Sequence, residues 1–341
     1  MRHVLALFLV ASAASAARGE TPIARPSAID IERDTSPPGR PELGFDGGAP
    51  LDGGWAATVQ LGWLERPLVF TTPDGESFPV ARRQTVFLGG ALALGPSAVV
   101  DVRLPIAHQT GDRLMLAGGG GEQGALAPWV AGDLHVGLRA RVTGRPSFSV
   151  FARADIGFPT GDEDNFAGDS GWNLAWSLIG RFGLPAGISL SVAGGIRLRG
   201  DEVIVADRVQ SNELFAHAGI AVPIPPVSIF RPLWCVAEQV KLTAEVGGVL
   251  GDRVAGAQGP SPIEARLGLV THPRDNITLG FRVGAGLVDD EIGAPRWRAL
   301  VELTLWGNAQ VSSLLPVDNS PETEGESDVS DIEDTTDPDR H

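Results

Sequence analysis

The sequence predicts an all-β chain: a transmembrane, antiparallel, up-and-down β-barrel of about twelve strands. Three observations carry that expectation. The body from Trp55 to Trp306 alternates apolar residues with small or polar ones at period two, segment after segment. The apolar side of these segments carries no charge, whereas the other side collects arginines. Tryptophans fall on the apolar side, mostly near segment ends. A soluble sheet also alternates, but its solvent face would carry abundant charge of both signs, lysine included. Here the polar faces are dominated by Gly, Ala, Ser, Thr and Arg, which suits the interior of a barrel whose apolar faces meet lipid.

The elements follow in order. Residues 1–16 read as a secretory signal, with Arg2 at the start, a short apolar run from Val4 to Val10 and a small-residue cleavage pattern at Ala14-Ser15-Ala16. Residues 17–50 are rich in Pro, Gly and charge and read as an extended periplasmic lead-in. The barrel is expected over 51–308. Its strands are placed at 55–64, 83–94, 98–109, 134–142, 148–159, 172–182, 188–199, 213–222, 240–250, 263–271, 276–288 and 297–306. The stretch after Asn276 shows the logic: Ile277, Leu279, Phe281, Val283, Ala285 and Leu287 take one side, and Thr278, Gly280, Arg282, Gly284 and Gly286 the other. In a strand those two sets point to opposite faces, whereas a helix would scatter them around its axis.

Connections after strands 2, 4, 6 and 10 are short and those after the odd strands mostly long, the pattern of short periplasmic turns and long outer loops. Both termini are then expected in the periplasm, with the barrel in the outer membrane of a Gram-negative bacterium. One connection breaks the pattern. Pro223 to Gln239 is long and contains Val227-Ser228-Ile229-Phe230 and Trp234-Cys235-Val236, which leaves an extra hairpin and a 14-stranded barrel open. Residues 309–341 form an acidic tail; from Pro316 to His341 there are ten acids and one arginine. So few apolar residues cannot offset the entropy of ordering, and the tail is read as disordered and solvated.

Composition excludes several classes. Lys and Arg number 27 against 42 Asp and Glu, a formal charge of −15, which argues against a nucleic-acid partner. A single cysteine excludes a disulfide framework within the chain and a cysteine-based zinc cluster. No cofactor and no metal are expected. Asp162, Glu163, Asp164 and Asp169 cluster, but without the glycine and distal glutamate of an EF-hand loop, and read as a solvated acidic turn. Gly118 to Gly121 lacks the Gly-Lys-Ser/Thr of a phosphate loop and reads as a mobile outer loop. His135 and His217 face inward with no nucleophile tied to them locally, so no enzyme is expected.

The candidate site is therefore the lumen. The inward faces carry eleven bases, Arg103, Arg139, Arg141, Arg153, Arg181, Arg197, Arg199, Lys241, Arg266, Arg282 and Arg298. They carry five acids, Asp101, Asp155, Glu245, Glu264 and Glu302. This excess could favour anions in a pore, or the same groups could pair as salt bridges that close it. Inward glycines, among them Gly137, Gly157, Gly195, Gly219, Gly247, Gly268 and Gly284, leave room for water or a narrow solute. Trp55, Trp63, Trp172, Trp176 and Trp297 are expected at the membrane interfaces. Trp55 and Trp63 are eight residues apart. At about 3.3 Å per residue and a tilt of about 40°, that spans roughly 20 Å along the membrane normal. The expected partners are outer-membrane lipid, the barrel-assembly machinery and small solutes. The expected function is a porin-like or transporter channel; the alternative is a structural or interaction barrel with a salt-bridged, closed lumen.

Several short motifs strengthen the barrel expectation. Ile29-Asp30-Ile31-Glu32-Arg33, Leu64-Glu65-Arg66-Pro67-Leu68, Arg103-Leu104-Pro105 and Phe158-Pro159-Thr160-Gly161 followed by Asp164-Asn165-Phe166 and Gly168-Asp169 resemble the barrel domain of myxobacterial and related OmpA-family outer-membrane proteins. The Pro-Thr-Gly loop is also similar to barrels assigned as transporters in the meta-pathway of phenol degradation. Members of the OmpA-type family commonly carry a peptidoglycan-binding domain after the barrel. The acidic tail has no apolar periodicity and does not match it. The last strand, Trp297 to Trp306, resembles the aromatic-ending strand that the barrel-assembly machinery reads.

Overall fold

The computed structural model describes residues 43–45, 54–72, 75–111, 125–145, 147–205, 208–225, 239–251, 261–288 and 294–308. The expected signal sequence, most of the lead-in, the acidic tail, Gly118 to Gly121 and Cys235 lie outside the described residues. Fifteen strands are found among the described residues: β1 (Gly54–Thr72), β2 (Gly75–Ala93), β3 (Ala98–Thr110), β4 (Trp129–Ala131), β5 (Leu134–Arg145), β6 (Phe148–Phe158), β7 (Asn173–Gly183), β8 (Ser189–Arg199), β9 (Val203–Val205), β10 (Arg208–Gln210), β11 (Glu213–Pro223), β12 (Gln239–Gly251), β13 (Ile263–Arg274), β14 (Ile277–Gly286) and β15 (Trp297–Asn308). Twelve of them form one closed antiparallel ring. Each pairs with its neighbour along the chain, and β1 pairs with β15 from Gly54 opposite Asn308 to Glu65 opposite Trp297. Closure leaves no sheet edge, so the backbone groups of the wall are satisfied within the barrel. β4 is a short addition beside β3, and β9 and β10 form a separate hairpin.

β11 pairs directly with β12 from Glu213 opposite Gly251 to Pro223 opposite Lys241, so no further hairpin enters the ring there. The 14-stranded alternative is thereby removed. β1 and β2 run well beyond the expected strand ends. They continue as a hairpin past register shifts between Glu65 and Phe70, where Arg66 takes a left-handed backbone (φ 48°). Pro67 and Pro79 interrupt the alternation in this stretch, which is why period two alone ends the strands early.

Alternation is visible in burial. Leu178, Leu242, Leu267, Phe281 and Leu303 are exposed, Leu178 at 60% of its surface. The residues between them, including Ser191, Thr243, Arg266, Arg282 and Glu302, are buried. This inverts the soluble arrangement: the outer wall is an apolar belt and the inner wall is polar. Lipid supplies the partner that such a belt requires. Trp55, Trp172 and Trp297 are exposed on this belt, and Trp63 and Trp176 are half-buried on it. Trp306 instead turns inward and packs on Ala56, Ala91, Ala93 and Val99.

The two ends differ. Turns β2–β3, β5–β6, β7–β8 and β13–β14 are tight and lie at the end that holds Gly54 and Asn308. One is closed by Leu94 N–H donating to the Ala98 carbonyl (2.9 Å), with Gly95 at φ 127°. The opposite end carries the β1–β2 hairpin, β4, the 159–172 loop and the β9–β10 hairpin.

Candidate functional site

The interior is built from three groups of charges, and register explains each. β5 lies between β3 and β6, and Gly137 stands opposite Asp101 on one side and Asp155 on the other. Without a side chain at 137, the Arg153 guanidinium crosses β5. Its Nη1 donates to Asp101 Oδ2 (2.6 Å) and its Nη2 to Asp155 Oδ2 (2.6 Å). A Cβ at 137 would sit 2.3 Å from Arg153 Nη2. Arg103 also binds Asp155, and His135 Nδ1 lies 2.9 Å from Asp155 Oδ1. Two guanidiniums thus face two carboxylates.

The second group repeats the arrangement. Arg197 and Arg199 on β8 meet Glu213 on β11, each at 3.3 Å, and Arg199 also binds Asp169. The third is larger and sits on β12 to β15. Arg282 Nε donates to Glu245 (3.1 Å) and its Nη1 to Glu302 (3.0 Å). Arg298 Nε lies 3.0 Å from Glu264, and Arg266 lies between Glu264 and Glu245 at 3.7 and 3.9 Å. Gly268 stands opposite Arg282, and Gly284 opposite both Arg266 and Arg298. A Cβ at 268 would meet Arg282 Cγ at 2.7 Å, and one at 284 would meet Arg266 Cγ at 2.5 Å. Gly137, Gly268 and Gly284 are therefore sockets for arginines of adjacent strands rather than free space. Gly247 does the same for His217, and Gly195 for Phe215. A small residue beside a long one on the same face lets the long side chain lie flat along the wall.

The remaining inward bases lie nearer the terminal end of the strands. Arg139 and Lys241 are buried, and the Arg139 guanidinium lies 5.8 Å from the Phe151 ring centroid. Arg141 donates to the Pro96 carbonyl (3.1 Å), and Arg181 is half-buried. Three interior acids and one base were not collected by the strand pattern. Glu213 is the first residue of β11 and Arg83 lies inside β2, at the start of its expected span, whereas Asp133 and Asp169 belong to loops that turn inward; all four are buried.

Those loops close the loop end. Arg83 donates to the Phe166 carbonyl (2.8 Å) and Gln109 Nε2 to the Asn165 carbonyl (2.7 Å). Asp133 accepts from the backbone N–H of Gly161 (2.9 Å) and of Asp169 (2.8 Å), which ties the 159–172 loop across the mouth. Asp169 is thus a buried structural acid, not part of a solvated turn. Phe166 sits buried at φ 57°, and Ala167 packs with Ala107 and Val130. Leu68 and Val80, at the base of the β1–β2 hairpin, are also fully buried.

A piece of the lead-in occupies the lumen. Leu43 has no exposed surface, and Gly44 N–H donates to Glu245 Oε1 (2.9 Å). Phe45 stacks on His217 at 5.4 Å between centroids. Gly219 makes the seat: a Cβ there would approach Leu43 Cδ1 to 3.0 Å. The lead-in is therefore not wholly outside the barrel. Between this segment and the three charge groups lies a cavity of about 100 Å³, lined by Phe45, Arg103, Arg153, Asp155, Ile179, Ala193, Arg197, Phe215, His217, Val249 and Arg266, among others.

No family model matches the sequence, and no curated protein is similar to it in sequence. The fold does have solved relatives. The COG4313 outer membrane channel from Pseudomonas putida F1 superposes with a TM-score of 0.55 at 12% identity, over 76% of this chain and 97% of that one. The NanC porin (TM-score 0.45, 7% identity, 73% of this chain and 98% of that chain) and the KdgM porin (0.42, 9%, 73% and 98%) share the barrel more loosely. The first of these likenesses establishes the fold, that of an outer-membrane β-barrel. The resemblance to OmpA-family barrels rests on its short motifs.

Proposed function

We propose that the chain is a non-enzymatic outer-membrane channel for small solutes, described here in a closed conformation. The observation that carries this reading is the cavity at mid-lumen: of the two closures of the lumen, one lines this cavity and the other covers the loop end. One closure is the Leu43–Phe45 segment, fixed by a single described hydrogen bond to Glu245 and an aromatic stack. The other is the 159–172 loop, held by Arg83, Gln109 and Asp133. Hydrogen bonds to charged groups contribute about 1.5–3 kcal/mol each, and none of these contacts belongs to the strand pairing of the wall, so displacing either closure leaves the ring paired. The wall itself is fixed by the three ion-pair groups, which favours the alternative of a permanently sealed barrel. Planar-bilayer recording separates the two. The channel reading expects a variant with Leu43→Gly and Phe45→Gly to conduct several-fold more than the parent chain. Silence of both proteins at every voltage would leave the sealed reading.

A further inference from the structure

We propose that the mid-lumen cavity binds compact organic anions, a carboxylate or similar head on a flat apolar body. The proposal rests on the channel reading, since a solute reaches this cavity by moving along the lumen, and it names the class of solute.

The lining is divided. Of its charged side chains, four are guanidiniums, Arg103, Arg153, Arg197 and Arg266, and one is a carboxylate, Asp155. The other acids of these ion pairs, Asp101, Glu213, Glu245 and Glu264, are not among the lining residues. The cavity therefore faces mainly N–H donors. An arginine carries five donors, and a paired carboxylate occupies only some of them.

The other side of the cavity is aromatic and aliphatic. Phe45 and His217 stack nearly parallel (19°), and Phe215 lies 5.9 Å from His217. The Arg197 guanidinium stands 6.0 Å from the Phe215 centroid, so donor and apolar wall are about one ring apart. A small hydrated anion would lose water against the aromatic wall. A neutral hydrocarbon offers the guanidinium wall no charge to meet, and so engages the aromatic wall alone. A solute with both parts satisfies both walls, and a volume of about 100 Å³ suits one ring-sized body.

The test uses the full chain, folded in detergent, and ¹⁹F NMR. The probes are 4-fluorobenzoate, its neutral analogue 4-fluorobenzyl alcohol, and trifluoroacetate, which keeps the head and lacks the ring. The proposal expects saturable binding of 4-fluorobenzoate and at least tenfold weaker binding of the other two. Arg197→Gln should weaken 4-fluorobenzoate binding at least fivefold. Ala193→Phe, which puts a ring into the cavity and changes no charge, should abolish it, and heat-dependent gel mobility reports that both variants are folded. Equal binding of the alcohol, binding untouched by Ala193→Phe, or no saturable binding would overturn the proposal. Bilayer conductance of the same samples is read separately. Binding without conductance would support the site and remove the channel, and conductance without binding would do the reverse.

Discussion

Replacing Arg282 by methionine probes the ion-pair groups most sharply. Arg282 is only 1% exposed and bridges Glu245 and Glu302, at 3.1 and 3.0 Å. Methionine keeps much of the stem volume and removes the charge, so packing changes little while two buried carboxylates lose their shared partner. Breaking a buried pair from one side costs about 3–5 kcal/mol, because the abandoned charge stays desolvated. Glu245 keeps Gly44 N–H and the more distant Arg266, which places the expected loss toward the lower end, about 3 kcal/mol. That is a shift of roughly a hundredfold in the folding equilibrium. Urea unfolding in lipid vesicles, followed by tryptophan fluorescence, reads it. Adding Glu302→Gln completes a double-mutant cycle, in which the coupling between 282 and 302 should exceed about 1 kcal/mol. A single-variant loss under about 0.5 kcal/mol with no coupling would refute the argument, because it would mean that bulk water already screens these groups.

Leu178 lies at the middle of β7 and is exposed, so Leu178→Arg should cost about 2–4 kcal/mol in bilayer folding assays, whereas a soluble barrel would tolerate it. Arg83→Ala removes the bond to the Phe166 carbonyl and should loosen the 159–172 loop, read as faster amide exchange in that segment with exchange in β7 unchanged. Gly137→Leu places side-chain carbon where Arg153 Nη2 lies, 2.3 Å from the Cβ position, and should lower stability by about 1–3 kcal/mol in the same unfolding assay.

The wall was legible because a strand half in lipid writes period two over its whole length. All twelve wall strands overlap segments read from alternation, from Trp55 to Trp306, with β1 and β2 running past theirs. The interior was legible in composition but not in organisation. Alternation says that Gly137 and Gly268 point inward; only the register, which depends on pairing across the ring, says that Arg153 and Arg282 fill the space beside them. Asp133 and Asp169 were missed as interior groups because an inward-turning loop has no period. The Leu43–Phe45 seat had the faintest signal, two apolar residues spaced by a glycine in a lead-in otherwise rich in Pro, Gly and charge. Its partners, Gly219 and Glu245, lie some two hundred residues away.

Lipid covers the uncharged face of the ring, and collision of nitroxide labels tests that most directly. In a Cys235→Ser background, single labels along β7 in reconstituted vesicles are exposed in turn to oxygen and to an aqueous nickel chelate. Positions 176, 178 and 180 should be relaxed strongly by oxygen and weakly by nickel, with positions 177, 179 and 181 protected from oxygen. Strong nickel relaxation at 176, 178 and 180, or no alternation at all, would contradict it.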